Sequence, residues 1–280
     1  MNRAVVQATA LGIVTVTALA ILAIPVAMLA YLAVKALPAL DLAFLTSYPS
    51  DGLRGGGILP AIYGTACLVT LTALLSLPPG LATAIYLVEF SPDGLVARLI
   101  RAALFTLSGI PSVVFGLFGL GVFVLLLGIG SSLLAASLTL ALLVLPLIIA
   151  CAEAALASVP SEWREASLAL GCTRMQTIRH LVLPQAAPGL VTGTILAVGR
   201  AAGETAPILF TGAAFYLTDL PRTVYDQVMA LSYHLYVLST TVAGASDARK
   251  AAVALTLLVL VLTFSSAGVV LRRRYLGERR

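Results

Sequence analysis

Apolar residues fill this chain in long unbroken runs, and the polar residues gather in the gaps between them. Runs such as "LFGLGVFVLLLG" show no alternation, so they do not read as barrel strands, which alternate apolar and polar positions. A bilayer takes about 20 apolar residues per helix. Six stretches meet that length: about 10–34, 58–88, 104–128, 133–157, 187–214 and 250–271. The pattern predicts an all-α membrane protein with six transmembrane helices. Pro78-Pro79 predicts a bend near the end of the second span. Gly109-Ile110-Pro111-Ser112 predicts a break in the third, as a packing kink or as a pore constriction.

Composition sharpens this picture. The chain has 280 residues, 60% of them hydrophobic and 10% charged, with a mean hydropathy of +1.05. A soluble domain carries about 25% charged residues. The net charge of +5 does not point to nucleic acid, because the basic residues lie between or beside the spans. There they set orientation. With the N-terminus inside, eleven of the seventeen fall on the inner side, five on the outer side, and Arg200 lies within a span. Both termini are expected in the cytoplasm, in a multi-pass inner-membrane protein. The run from Ala10 to Leu32 has no A-x-A-like cleavage site before a polar mature region, which predicts a retained helix. Cys67, Cys151 and Cys172 lack C-x-x-C spacing and read as free thiols. His180 and His234 lie far apart on opposite sides, so no metal site is expected.

Two outer segments exceed a minimal turn. "LDLAFLTSYPSDGLRGGGILP" ends in Gly55-Gly56-Gly57, expected to be a flexible lead into the second span. The segment from Phe215 to Asp247, with Tyr216, Tyr225, Tyr233 and Tyr236, suits an interfacial outer helix, either anchored at the headgroups or presented to a partner. On the inner side, Glu89 and Asp93, near Arg98 and Arg101, are expected to form a solvated pair or a minor contact to a partner.

The inner segment "SVPSEWREASLALGCTRMQTIRHLVLPQAAPG" reads as helix, break, helix. Pro160 and Ser161 mark a start, with Glu162 and Glu165 in the first turn, where the helix dipole favours anions. Trp163, Ala166 and Leu170, with Ser167 beside them, share one side. Gly171 is the expected C-terminal cap. Thr173 with Gln176 makes a capping-box pattern for the next helix. Pro184 and Pro188 are expected to close the segment before the fifth span. A helix without a lysine-rich face is poorly suited to lie alone on lipid, and docking into a groove of another protein fits better. The segment resembles the coupling loop of ABC-importer permeases, E-A-A, three residues, Gly, nine residues, then I-x-L-P. The matching positions are Glu165-Ala166-Ser167, Gly171 and Leu181-Val182-Leu183-Pro184, with Ser for the second Ala and Leu for Ile. Glu153-Ala154-Ala155 also spells E-A-A, but Val159 stands where Gly is required. The resemblance implies a cytoplasmic ATPase partner received by Glu165, Ala166, Ser167, Gly171, Leu183 and Pro184. It implies a type I ABC importer permease fold with cytoplasmic coupling helices. ATP and Mg would belong to that partner, since this chain has no G-x-x-x-x-G-K-[ST] loop. No cofactor and no enzymatic activity are expected of the chain itself.

"GRAAGETAPILF" places Arg200 and Glu204 inside the fifth span, with Arg200 roughly 18–20 Å along it. A mid-bilayer charge costs at least ~2.5–3.5 kcal/mol on insertion scales, so it must meet a partner or water. The pair reads either as an intrahelical salt bridge or as a fixed cation on an anion's path, with Glu204 holding the guanidinium. Gly203 and Pro207 are expected to interrupt the helix. The stretch also resembles the fifth-span signature of Pst-type phosphate importer permeases, especially the PstA branch, G-R-A-x-G-E-T-A-P followed by L-F-T. "SGIPSVVFGLFG" and "AIYLVEFSP" are similar to other segments of that family, and the likeness runs from about Gly55 to the C-terminus. It implies phosphate as substrate, with Arg200, Glu204 and Thr205 on its pathway. It further implies a PstC-like second permease, a PstB-like ATPase dimer and a PstS-like extracytoplasmic phosphate-binding protein. The expected organisation is an N-terminal helix and outer loop over 1–57 and a permease core over 58–280, with the coupling loop at about 158–184. An importer of another oxyanion (phosphonate, sulfate or molybdate) and a stand-alone secondary carrier are the alternatives.

Overall fold

The structure is a computed structural model that describes residues 3–277. Its elements run α1 (Arg3–Ala36), α2 (Leu42–Thr46), a short hairpin of β1 (Pro49–Ser50) and β2 (Gly55–Gly56), then α3 (Leu59–Ile85). There follow α4 (Leu95–Ser108), α5 (Ser112–Gly119), α6 (Leu133–Ala157), α7 (Ser161–Ala169), α8 (Arg174–Thr177), α9 (Leu183–Gly203), α10 (Ala206–Thr211), α11 (Leu231–Thr240) and α12 (Asp247–Gly277). Among the described residues, five unbroken helical stretches are long and apolar enough to span a membrane, and α4 with α5, bent by 104°, passes the same test as a pair and makes a sixth when counted as one span.

The centre of the bundle is α6, packed against α3 and α9, with α12 on the far side of α9. Small residues permit this. Gly189 and Gly193 form a G-x-x-x-G step on α9, and a Cβ at either would collide with Ala155 or Cys151 of α6. Lipid gives helices no hydrophobic reason to associate, so close backbone approach through such residues supplies the packing energy. By contrast α1 presents nearly all its apolar side chains outward and packs on α12.

Several expectations are corrected. The break expected at Gly109–Ser112 is present, since α4 stops at Ser108 and α5 leaves in a new direction after Pro111, but the span starts earlier than 104, at Leu95. Helix α5 then continues as a π-helical stretch, Leu120–Leu126. The fifth span begins well before 187, because the chain is helical from Arg174 to Gly203 and Pro184 and Pro188 do not interrupt it. Proline removes one backbone donor, and the wider π-helical turns over Ile178–Val182 lie just before Pro184. That is where a helix can absorb such a residue.

The glycine triplet is tightly packed rather than flexible. Gly56 has φ of 69° in the hairpin, and a Cβ there or at Gly57 would strike the carbonyls of Tyr48 or Ser47. Arg249 of α12 reaches across to donate to the carbonyls of Gly56 (2.9 Å) and Gly55 (2.8 Å).

In the outer segment only Leu231–Thr240 is helical. The stretch before it folds over the start of α6, where the N–H groups of Leu133 and Leu134 donate to the carbonyls of Asp226 and Val224. The N–H groups of Arg222 and Thr223 donate to the Asp226 carboxylate at 2.8 Å each. Led by the Thr223 bond, these hold that carboxyl below its usual range. The segment then dips inward, and Val228, Met229, Ala230 and Leu231 are buried. Gly64 of α3 touches this dip so closely that a Cβ would overlap the Met229 carbonyl and the Val228 side chain. Gly64→Val should therefore lower stability by about 1–3 kcal/mol, the usual penalty of overpacking. Thermal unfolding in detergent checks this, with Gly12→Val, where space is open, as the control.

Candidate functional site

Helix α9 ends at Gly203, and Glu204 leaves it in an extended conformation (φ −73°, ψ 137°). Helix α10 restarts at Ala206-Pro207. The expected interruption is present, and it falls directly after the charged pair. The carbonyl freed at Glu204 accepts a hydrogen bond from Ser232 Oγ (2.8 Å), and the N–H of Leu231 donates to Thr65 Oγ1 (2.8 Å). Inside a bilayer such irregular backbone persists only where protein or water satisfies it.

Arg200 lies in the last turn of α9, with Nε 3.4 Å from Glu204 Oε1. The guanidinium side chain is 45% exposed in the single chain and the carboxylate 18%. Arg200 faces an open cleft of about 390 Å³ between α4, α5, α6 and α9, so the pair is not sealed in a dry helix contact. Thr205 follows at the break and is half-buried. Both carriers of the span-three and span-five motifs meet here. A Cβ on Gly116 of α5 would lie 2.9 Å from Pro207 Cα, and one on Gly119 would strike Thr139 of α6. The glycines of "SGIPSVVFGLFG" thus seat α10, and the broken third and fifth spans lie side by side.

The inner segment forms the helical pair that its punctuation predicts. Gly171 has φ of 87°. Its N–H donates to Leu168 and that of Cys172 to Ser167, the double bond of a Schellman ending. Thr173 and Gln176 form the reciprocal capping box. Glu165, Ala166, Trp163, Leu168, Leu170, Gly171 and Met175 are exposed. An 86% exposed Leu170 at a helix end is an unusual surface residue. Ser167 is turned inward, its Oγ 2.9 Å from Thr177 Oγ1 of α8. Leu183 packs in the inner core cluster with Leu87 and Val182, and Pro184 is half-buried. These three residues fix the segment's shape, while the others form its outer face.

Two ion pairs differ from the sequence expectation. Glu89 is buried at the inner end of the α3 span, and Arg164 of α7 donates to its Oε1 from Nε (3.0 Å) and Nη2 (2.8 Å). The same guanidinium donates to the carbonyls of Leu156 and Val159 at the C-terminal end of α6. One side chain therefore ties α7 to α3 and α6. Arg101 pairs with Glu153 of α6 (2.8 Å) rather than with Glu89 or Asp93. These partners lie 75 and 52 residues apart in sequence, so only the periodicity of Glu89 and Glu153 within apolar helices could have hinted that they face protein. Removing one member of a buried pair strands the other charge, at a cost of about 3–5 kcal/mol. Glu89→Leu should destabilise the protein by about that amount, and adding Arg164→Leu should recover much of it. Denaturation of the two single variants and the double variant in detergent gives the coupling.

Residues 76–276 match the family model described as "Binding-protein-dependent transport system inner membrane component". The chain is 32% identical over 251 residues to the probable ABC transporter permease protein YqgI of Bacillus subtilis, covering 86% of this chain and 85% of that protein. It is 36% identical over 217 residues to the phosphate transport system permease protein PstA 1 of Mycobacterium tuberculosis, covering 78% and 71%. Among solved structures, the fold is shared with the inward-facing MetNI methionine ABC transporter (TM-score 0.63, 22% identity, 78% and 95% covered). It is shared also with a bacterial alginate ABC transporter (TM-score 0.59, 16% identity, 80% of each chain). With its bent spans, its capped inner helix pair and these relatives, the chain belongs to the family of binding-protein-dependent inner-membrane components, the permease subunits of ABC importers.

Proposed function

We propose that this permease imports inorganic phosphate and that Arg200 is the cation its substrate meets within the membrane. The observation that carries this reading is a guanidinium at a helix break, held by one carboxylate and facing an open cleft rather than a dry helix contact. A guanidinium forks two hydrogen bonds to a tetrahedral oxyanion, and its charge does not titrate. Glu204 fixes its direction and keeps the anion from binding too tightly to leave. Relatives named as phosphate transport permeases at 35–36% identity support phosphate over other oxyanions; the PstA proteins of Mycobacterium leprae (36%) and Methanocaldococcus jannaschii (35%) are further examples. The methionine and alginate transporters share the fold alone.

In this reading both termini face the cytoplasm, α1 and the outer hairpin are an addition to a core that starts near residue 58, and the cleft is one wall of the path. A PstC-like second permease supplies the other wall. A PstB-like ATPase dimer, which binds ATP and Mg, receives the exposed face of α7 around Glu165, Ala166, Leu170 and Gly171. A PstS-like binding protein delivers phosphate to the outer loops. Closure of the ATPases pushes α7, and the Arg164–Glu89 tie passes that movement to α3 and α6 as rigid-body rocking.

Arg200→Gln should abolish uptake of labelled phosphate while the complex still assembles, with Arg200→Lys keeping part of the rate. Vesicles containing the purified complex measure both. Undiminished uptake by the Gln variant removes Arg200 from the path, and stronger competition by sulfate, molybdate or a phosphonate than by phosphate reassigns the substrate.

A further inference from the structure

The cleft that receives Arg200 holds a second guanidinium that the transport reading has not used. Its walls are apolar side chains apart from Arg200, Ser108, Arg101 and Glu153. We propose that Arg101, oriented by Glu153, is a second oxyanion station on the same path, nearer the cytoplasm. The proposal rests on the reading of this permease as an oxyanion importer.

The register of α6 against α9 gives the separation. Ala155 stands beside Gly189 and Cys151 beside Gly193, so Arg200 falls level with Val144. Glu153 is nine residues farther along α6, which at 1.5 Å per residue is about 14 Å toward the inner face. Both guanidiniums border one continuous opening. An anion leaving a single cationic site for an apolar channel would lose its partners at once. A second cation within reach lowers that barrier, and sites in series allow binding at each to be weak.

Arg101 has the chemistry of a station as well as the position. Its Nε donates to Glu153 Oε1 (2.8 Å), Nη1 to the Pro92 carbonyl (2.6 Å) and Nη2 to the Leu87 carbonyl (3.2 Å). A guanidinium carries five N–H groups, so these bonds aim it while leaving donors over. Its side chain is 37% exposed and that of Glu153 26%. The arrangement repeats Arg200 with Glu204: one cation, one carboxylate partner, an open side toward the cleft. The rival role is a staple joining the inner ends of α3, α4 and α6. A staple accounts for the two carbonyl bonds, but not for an opening onto the cavity that also holds Arg200.

The test uses the intact complex, purified through this chain and reconstituted in vesicles with labelled inorganic phosphate outside. Arg101→Gln should slow uptake by about 10- to 100-fold, the size expected for losing charged hydrogen bonds. Arg101→Lys should retain a substantial fraction of the rate, and both variants should keep wild-type ATPase activity, with Arg101→Lys also keeping the wild-type unfolding temperature. Wild-type uptake by Arg101→Gln overturns the proposal. So does a parallel loss of ATPase activity and unfolding temperature in both variants, which identifies a staple. Arg200→Gln, run alongside, separates the two ideas: normal uptake there with loss in Arg101→Gln retires Arg200 alone. If wild-type vesicles take up neither phosphate nor another tetrahedral oxyanion, the anion reading falls and the second station falls with it.

Discussion

Hydrocarbon offers no partner to an N–H, a carbonyl or a charge, so each departure from a straight apolar helix in this protein has to be answered by another part of the chain. At the broken fifth span Ser232 donates to the carbonyl of Glu204, and at the start of α11 Thr65 takes the N–H of Leu231. The outer hairpin keeps its turn because Arg249 caps two of its glycine carbonyls. At the inner end of α6, Arg164 collects the carbonyls of Leu156 and Val159 while pairing with Glu89. At each of these places a side chain from outside the irregular stretch holds it.

That constraint locates function. A helix break is costly in a bilayer, and two of them lie side by side where α5 packs on α10. The glycines of α5 bring the two broken spans into backbone contact, and the charged pair stands at the end of α9 beside them. The cleft opens below this junction. A packing motif and a charged motif that lie far apart in sequence therefore serve one place in the molecule.

The inner helix pair has a different physical character. Its shape is set locally, by a Schellman ending at Gly171 and a capping box at Thr173, and its outer face is left apolar and exposed. Its attachment is not local. The Arg164–Glu89 pair connects α7 to the end of the second span, a charged, multiply bonded joint rather than a flexible loop.

The sequence by itself determined what depends on short-range chemistry. The positions of the first, second, fourth and sixth spans follow from run length. The inner helix pair follows from Pro160, Gly171, Thr173 and Gln176, whose caps act within a few residues, and the break after Arg200 follows from Gly203 and Pro207. Only the tertiary structure decided the 104° turn between α4 and α5, the close packing of the Gly55–Gly57 triplet, the inward turn of Ser167 and the partners of Glu89 and Arg101. Those depend on which helices approach one another and in what register. A carboxylate in one span carries no local mark of the arginine, dozens of residues away, that will stand beside it.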